Sequence, residues 1–219
     1  MSDRTLRIFR RQSPVSVLGP GQRAVVWVQG CQFACKNCIV PDSWDETSGE
    51  LLTVAELTDW AIAQPGIEGL TFSGGEPMLQ AEALLDLVES VRHQVDRGVV
   101  CYTGYRLEHL QQHGTPAQQA LLQQIDLLID GVYVEQKHGD LLWRGSTNQR
   151  LLPLTNRYQS LIPAIIAPGD RSAGLEFFME KTGEIGFVGV PIIPGFSQEF
   201  ESRMLSRGVI VNPIKEENQ

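Results

Sequence analysis

The stretch Ala24-Val-Val-Trp-Val-Gln-Gly-Cys-Gln-Phe-Ala-Cys-Lys-Asn-Cys38 decides the fold reading. Its first half is a β-branched and apolar run without polar alternation, the pattern of a strand buried on both faces of a parallel sheet. Its second half is a loop at the C-terminal end of that strand. The loop carries Cys31, Cys35 and Cys38 at C-x3-C-x2-C spacing, three of the four cysteines in the chain. Three thiolates so close in sequence can converge on one soft centre, an iron–sulfur cluster or zinc. Cys101 lies in the apolar run Gly98-Val-Val-Cys-Tyr102 and reads as a buried strand residue. The loop therefore offers three ligands and an open coordination position, as sites that perform chemistry do. A closed zinc site would need a fourth ligand, and the next histidine, His93, falls in a predicted helix.

Outward from this loop the chain alternates strand and helix. Thr53-Val-Ala-Glu56 is a capping box that opens a helix stopped by Pro65-Gly66. Gly69 to Ser73 is a second strand and runs into Gly74-Gly75-Glu76-Pro77. Leu84, Leu87, Val88, Val91 and Val95 mark a helix. Val99 to Tyr102 is a third strand, Arg106 to Gln112 and Pro116 to Gln124 are helical, and Ile125 to Asp130 is a fourth strand. The alternation predicts right-handed βαβ units around a parallel sheet, with an α/β architecture of incomplete (β/α) barrel type. Loops after parallel strands gather at one edge, so the cysteine loop, the Gly-Gly-Glu turn, Thr103-Gly104 and Asp130-Gly131 are expected to share a face. The glycine turn is expected to expose backbone amides and carbonyls to the open site, with Glu76 holding either the turn or a ligand ammonium. Asp130 reads as a substrate contact or a turn carboxylate, and Arg144 as a partner of Asp140.

The chain has 219 residues, 42% of them hydrophobic, with a formal net charge of −8. That size admits one generous domain with an appendage; the predicted division is 1–155 for a core and 156–219 for a C-terminal extension. The acidic balance argues against nucleic-acid binding through a broad basic surface. No apolar stretch reaches membrane-spanning length. The arginine-rich N-terminal stretch lacks an apolar secretory core, so a cytoplasmic, thiol-reducing setting is expected, and the stretch itself reads as a solvated edge strand. In the extension, Leu175 to Lys181 and Glu184 to Val190 flank Thr182-Gly183 and predict a hairpin, ended by Pro191 and Pro194; Glu216 to Gln219 reads as a solvated end. A cap over the open sheet or barrel is the expected role, with a docking module as the other. The Phe177-Phe178 pair reads as core, and Tyr102 and Tyr105 as packing.

The combination of Cys31-x3-Cys35-x2-Cys38 with Ser73-Gly-Gly-Glu-Pro77 resembles the radical S-adenosylmethionine superfamily. It is most similar to the small activating enzymes of glycyl-radical proteins, above all those acting on anaerobic ribonucleoside-triphosphate reductase. Gly19 to Arg23, Ser43-Trp44, Tyr102 to Tyr105 and Leu142 to Gln149 extend the likeness over roughly residues 17 to 152. The resemblance implies a [4Fe–4S] cluster on Cys31, Cys35 and Cys38, and S-adenosylmethionine on the remaining iron. By the same likeness Gly74, Gly75 and Glu76 contact the methionine moiety, and Asn37 and Ile39 lie along the adenosine. It implies reductive cleavage to a 5′-deoxyadenosyl radical and a glycyl-radical protein as partner, such as anaerobic ribonucleotide reductase. A one-electron donor such as flavodoxin or ferredoxin completes the set. Asn37 stands where many superfamily members carry an aromatic residue, Glu76 where many carry Asp, and the chain runs on past Leu152. Two alternatives stay open: the same chemistry on another small-molecule or protein substrate, and a non-catalytic zinc-binding interaction module.

Cys35→Ala is expected to abolish iron binding in anaerobically reconstituted protein, whereas Cys101→Ala keeps full iron. Iron analysis with the opposite ranking would mean that the ligand set is wrong.

Overall fold

A computed structural model describes residues 3–179 and 185–209. The elements follow in the order β1 (Thr5–Val15), β2 (Arg23–Val28), β3 (Glu50–Thr53), α1 (Val54–Ala63), β4 (Gly69–Gly74), α2 (Ala81–Arg92), β5 (Gly98–Thr103), α3 (Leu107–His113), α4 (Pro116–Gln124) and β6 (Leu127–Asp130). They continue with β7 (His138–Leu141), β8 (Arg144–Ser146), β9 (Arg150–Pro153), α5 (Asn156–Gln159), α6 (Leu161–Ile166), β10 (Leu175–Met179), β11 (Ile185–Gly189) and α7 (Phe196–Leu205).

Seven strands form one sheet in the order β3-β1-β2-β4-β5-β6-β9. The four apolar runs read from the sequence, β2, β4, β5 and β6, are its parallel centre. Antiparallel strands border them, β1 on β2 and β9 on β6. Among the described residues β3 and β9 are the two ends of this order. The architecture is thus an open, parallel-centred α/β sheet, and a barrel is not formed by the described strands. All six residues of β2 are buried, which is why its sequence shows no polar alternation.

Side-chain alternation sorts the two faces. Ala24, Val26 and Val28 join Val99, Cys101 and Leu128 in the core beneath α1, α2 and α4. Val25 and Trp27 point the other way, toward Val15, Val17, Leu18 and Val188. Val100, Leu127 and Ile129 also face that second side and pack with Trp143, Tyr158 and Ile162. The helices α1, α2 and α4 stay on the first face; the segment with Leu142 and Trp143, α5, α6 and the β10–β11 hairpin cover the second. Cys101 is completely buried on the helix side, as the sequence implied. Thr53 and Glu56 form the predicted capping box of α1, and Thr115 with Gln118 forms a second at α4 that the sequence reading missed.

The N-terminal stretch departs from its reading. β1 is not an edge strand: β3 pairs with its first half in the register Thr5↔Thr53 to Ile8↔Glu50, and Leu6 and Ile8 are buried. The Leu-Arg-Ile alternation buries one side of β1 while its arginines stay outside, and the short β3 gave no signal before the capping box. The β10–β11 hairpin forms as predicted, Leu175↔Gly189 to Met179↔Ile185. Its turn at Thr182-Gly183 and the end at Glu216 to Gln219 lie outside the described residues. Phe177 is 55% exposed, not core, and its ring meets Phe187 and Phe200 within the extension.

Arg23 closes the N-terminal end of the parallel strands. It is wholly buried. Its guanidinium donates to Thr71 Oγ1 at 3.1 Å, Tyr158 Oη at 3.1 Å, Pro20 O at 3.3 Å, Gly98 O at 2.9 Å and Leu70 O. Burial lowers its pKa, and the five acceptors hold the charge in place. Tyr158→Phe is expected to cost about 1.5–3 kcal/mol in urea unfolding, the worth of one hydrogen bond to a charged group. Arg23→Lys is expected to cost more, because an ammonium cannot span the separated acceptors. Unchanged unfolding midpoints in both variants would contradict this role.

Candidate functional site: three thiols beside an aromatic cavity

The cysteine loop leaves β2 through Gln29, which is 3% exposed. Its amide donates to Asp42 O at 3.0 Å and Asp45 O at 2.7 Å, so one side chain holds the far end of the loop. Gly30 N to Ser43 O at 2.8 Å and Cys31 N to Trp44 O at 3.0 Å close the loop's base. Within it, Ala34 (φ 44°) and Asn37 (φ 57°) adopt the left-handed conformation directly before Cys35 and Cys38. Asn tolerates that conformation better than an aromatic residue does, which accounts for its place here. The Asn37 amide also donates to Glu135, which pairs with Lys36 at 2.8 Å. The cysteine loop is thereby tied to the segment after β6.

Cys31, Cys35 and Cys38 are free and half-buried. Burial raises the pKa of Cys31 and of Cys35. Backbone N–H groups oppose this, those of Phe33 and Ala34 at Cys31 and that of Tyr133 at Cys35. Each of these two thiols feels the charge of Cys38, so the three lie within electrostatic reach of one another. Among the described residues no three His, Cys, Asp or Glu side chains are set to hold a single metal ion. The donor set of three soft sulfurs with backbone N–H partners fits an iron–sulfur cluster, where each thiolate binds its own iron.

The Gly-Gly-Glu turn presses on this loop from behind. Gly74 has φ 94°, and a Cβ there would lie 2.7 Å from Val28 O; a Cβ on Gly75 would lie 2.2 Å from Gly30 O. The glycines are needed for that approach. Gly75 N donates to Val28 O at 2.8 Å and Glu76 N to Gly30 O at 2.7 Å. For these two amides the expected exposure to the open site is corrected: both are engaged by the backbone before Cys31. The Glu76 carboxylate is also engaged at both oxygens. It accepts from Met78 N at 2.9 Å, Thr103 Oγ1 at 2.8 Å and Gly104 N at 2.7 Å. Of its two predicted roles, it performs the first, holding the turn.

Asp130 is likewise a structural carboxylate. It is wholly buried and accepts from Leu107 N at 2.8 Å, Arg106 and Arg150. Arg144 pairs with Asp170, not Asp140, because Asp140 turns to Ser172 N at 2.7 Å. Asn148 donates to Val132 O at 2.8 Å. Tyr105 packs edge-on against Phe33 in the cysteine loop at 5.0 Å.

Beside Cys38 lies a cavity of about 450 Å³ on the side of the sheet opposite α1, α2 and α4. Of the residues singled out in the sequence, Asn37, Cys38 and Ile39 border it; Gly74, Gly75 and Glu76 do not, and they act by bracing the loop. The core supplies Trp27, Ser73, Tyr102, Tyr133, His138 and Trp143, and the extension closes the far side with Phe187, Val188, Phe196 and Ser197. Sequence reasoning missed Trp143 and His138. Trp143 stands in the Leu142 to Gln149 segment, but only the fold shows that its φ of 54° turns it to this cavity.

Residues 17–152 match the model of a family described as 4Fe-4S single cluster domain. The chain is 38% identical to the anaerobic ribonucleoside-triphosphate reductase-activating protein of Haemophilus influenzae, over 62% of this chain and 91% of the relative. The protein of the same name from Vibrio cholerae is 38% identical, over 64% and 94%. That of Enterobacteria phage T4 is 34% identical, over 62% and 86%. The matched family stretch ends at residue 152, so α5, α6, the hairpin and α7 follow it.

Burial raises the Glu76 carboxyl from 4.5 to about 7, against the pull of its three donors. A carboxyl that binds its proton more tightly when folded adds stability that is full below 4.5 and is lost as pH rises to about 7. Glu76→Gln is expected to lower Tm, since an amide offers one acceptor oxygen to three donors, and to remove that fall in stability across this window. Thermal melts of both proteins from pH 4.5 to 7 check it; parallel curves would contradict the assignment.

Proposed function

This chain belongs to the 4Fe-4S single cluster domain family and to the family of the anaerobic ribonucleoside-triphosphate reductase-activating proteins, and from that premise we propose that it is a radical S-adenosylmethionine enzyme generating a glycyl radical on a partner of that reductase class. The observation that carries the reading is the three-thiol loop, braced from behind by Glu76 and opening at Cys38 onto a partly open cavity. Cys31, Cys35 and Cys38 would hold a [4Fe–4S] cluster. With an electron from a donor such as flavodoxin or ferredoxin, that group would supply the reductive cleavage of S-adenosylmethionine to methionine and a 5′-deoxyadenosyl radical.

The chain's own residues bind, orient and shield. Ile39 and Asn37 offer the cofactor the rim that follows and precedes the third thiol, and the Asn37–Glu135 tie keeps that rim in place. Gly74 and Gly75 supply a surface without side chains on the methionine side, and Glu76 fixes their backbone. Trp27, Tyr102 and Trp143 exclude water from the space where a reactive radical has to persist. No helix among the described residues is long and apolar enough to cross a membrane, and the proposed setting is the cytoplasm, where thiols stay reduced.

Anaerobic reconstitution with iron and sulfide is expected to give a brown protein that, with dithionite, converts S-adenosylmethionine to 5′-deoxyadenosine, read by chromatography. Added anaerobic ribonucleoside-triphosphate reductase is expected to acquire the electron paramagnetic resonance doublet of a glycyl radical. Protein that holds zinc, or a cluster that leaves S-adenosylmethionine intact, would overturn the proposal.

A further inference from the structure

Tyr133 is joined to the cysteine loop and to the cavity at once. Its backbone N–H is hydrogen-bonded to the Cys35 sulfur. Its side chain, half-buried, borders the cavity together with Cys38. Burial raises the pKa of its hydroxyl, and the charges of Glu135 and Cys38 raise it further, so the hydroxyl lies within electrostatic reach of the third thiol. Gly145 backs the ring: a Cβ there would lie 2.9 Å from Tyr133 Cδ2, too close for carbon on carbon. The hydroxyl is held by His138, whose Nδ1 lies 3.1 Å from it, with the two rings edge to face.

His138 also sets the direction of that hydrogen bond. Its Nε2 is buried without a partner among the described residues. A proton on Nε2 would lack an acceptor, so the ring carries its proton on Nδ1 and donates to Tyr133 Oη. The phenolic hydrogen is then not taken up by His138. The other three tyrosines of the chain are placed differently. Tyr102 borders the same cavity, but its hydroxyl is sealed inside the protein without a partner. Tyr105 packs on Phe33 and does not border the cavity. Tyr158 accepts from Arg23 at the opposite end of the strands. Cys101, the one cysteine outside the loop, is completely buried on the helix side. Tyr133 is therefore the tyrosine that both borders the cavity and has its hydroxyl fixed by a neighbour.

We propose that Tyr133 is a hydrogen-atom donor that disarms the 5′-deoxyadenosyl radical when no partner is engaged. This rests on the proposed function and adds the fate of a radical formed without its target. A phenolic O–H bond is weaker than the C–H bond formed at the 5′ carbon, so the transfer runs downhill. The O–H bond of Tyr133 breaks homolytically and its hydrogen forms a C–H bond at the 5′ carbon. The products are 5′-deoxyadenosine and a neutral phenoxyl radical on Tyr133, and no charge moves. The His138 N–H, already aimed at that oxygen, stabilises the phenoxyl. One electron from the same one-electron donor and one proton from solvent restore the phenol. The carbon radical is thus spent on a replaceable O–H, and the backbone of the cysteine loop and the rings of the cavity wall are spared.

The test uses the full-length, cluster-reconstituted protein with S-adenosylmethionine and dithionite in heavy water, without partner and in thiol-free buffer. A phenolic hydrogen exchanges with solvent, so the 5′-deoxyadenosine is expected to carry solvent deuterium, read by mass spectrometry. Measured per molecule of 5′-deoxyadenosine formed, Tyr133→Phe is expected to lose that deuterium and Tyr102→Phe to keep it. Freeze-quenched samples are expected to show a tyrosyl signal in electron paramagnetic resonance that narrows with ring-deuterated tyrosine and is absent in Tyr133→Phe. Product free of deuterium, equal deuterium in Tyr133→Phe, or no tyrosyl signal would overturn this inference alone and leave the proposed function standing. S-adenosylmethionine left intact would overturn the proposed function and this inference with it.

Discussion

One buried carboxylate fastens the working end of this sheet. Glu76 gives its own N–H to Gly30 O and receives donors from Met78, Thr103 and Gly104. Three strand-end segments, after β2, β4 and β5, therefore meet at a single residue, the first at its backbone N–H and the other two at its carboxylate. Bonds of this kind are strong in a dry interior and costly to break singly, so the three segments hold one another. The position of Cys31 follows, because Gly30 is the residue that Glu76 and Gly75 approach most closely. A cysteine loop with two left-handed residues would not keep its shape alone; the turn behind it removes that freedom.

The opposite end of the same strands is fastened differently. Arg23 spreads its donors over the turn before β2, β4, β5 and Tyr158. Stability thus concentrates at the N-terminal ends of the parallel strands and chemistry at the C-terminal ends, the division that parallel α/β folds share. The extension adds a third part. It covers the sheet face opposite α1, α2 and α4 and is joined to it by Val188, Glu176 and Phe178, so a face that β2, β4 and β5 leave open becomes a lined cavity.

Much of this was legible from local pattern. The unbroken apolar run of β2, the Thr53–Glu56 box and the two runs of the terminal hairpin each carry their structure within a few residues. The three cysteines were legible because so few alternatives place thiols at that spacing. The burial of β1 was not, since it depends on β3, more than forty positions away in the chain. Nor was the work of Glu76 and Asp130: a carboxylate after a strand reads alike whether it meets a ligand or its own neighbours, and only the fold brings Thr103 and Arg150 to them. Arg144 chose Asp170 over the nearer Asp140 for the same reason. Trp143 gave no signal because its orientation is set by one backbone dihedral.

In the proposed function the three thiols grip three irons of one cluster and leave the fourth for a small-molecule ligand. Mössbauer spectroscopy of anaerobically reconstituted, isotopically enriched protein tests it most directly. Addition of S-adenosylmethionine is expected to split one iron site away from the other three. Four iron sites that remain alike with and without that compound, or a preparation whose metal is zinc, would contradict it.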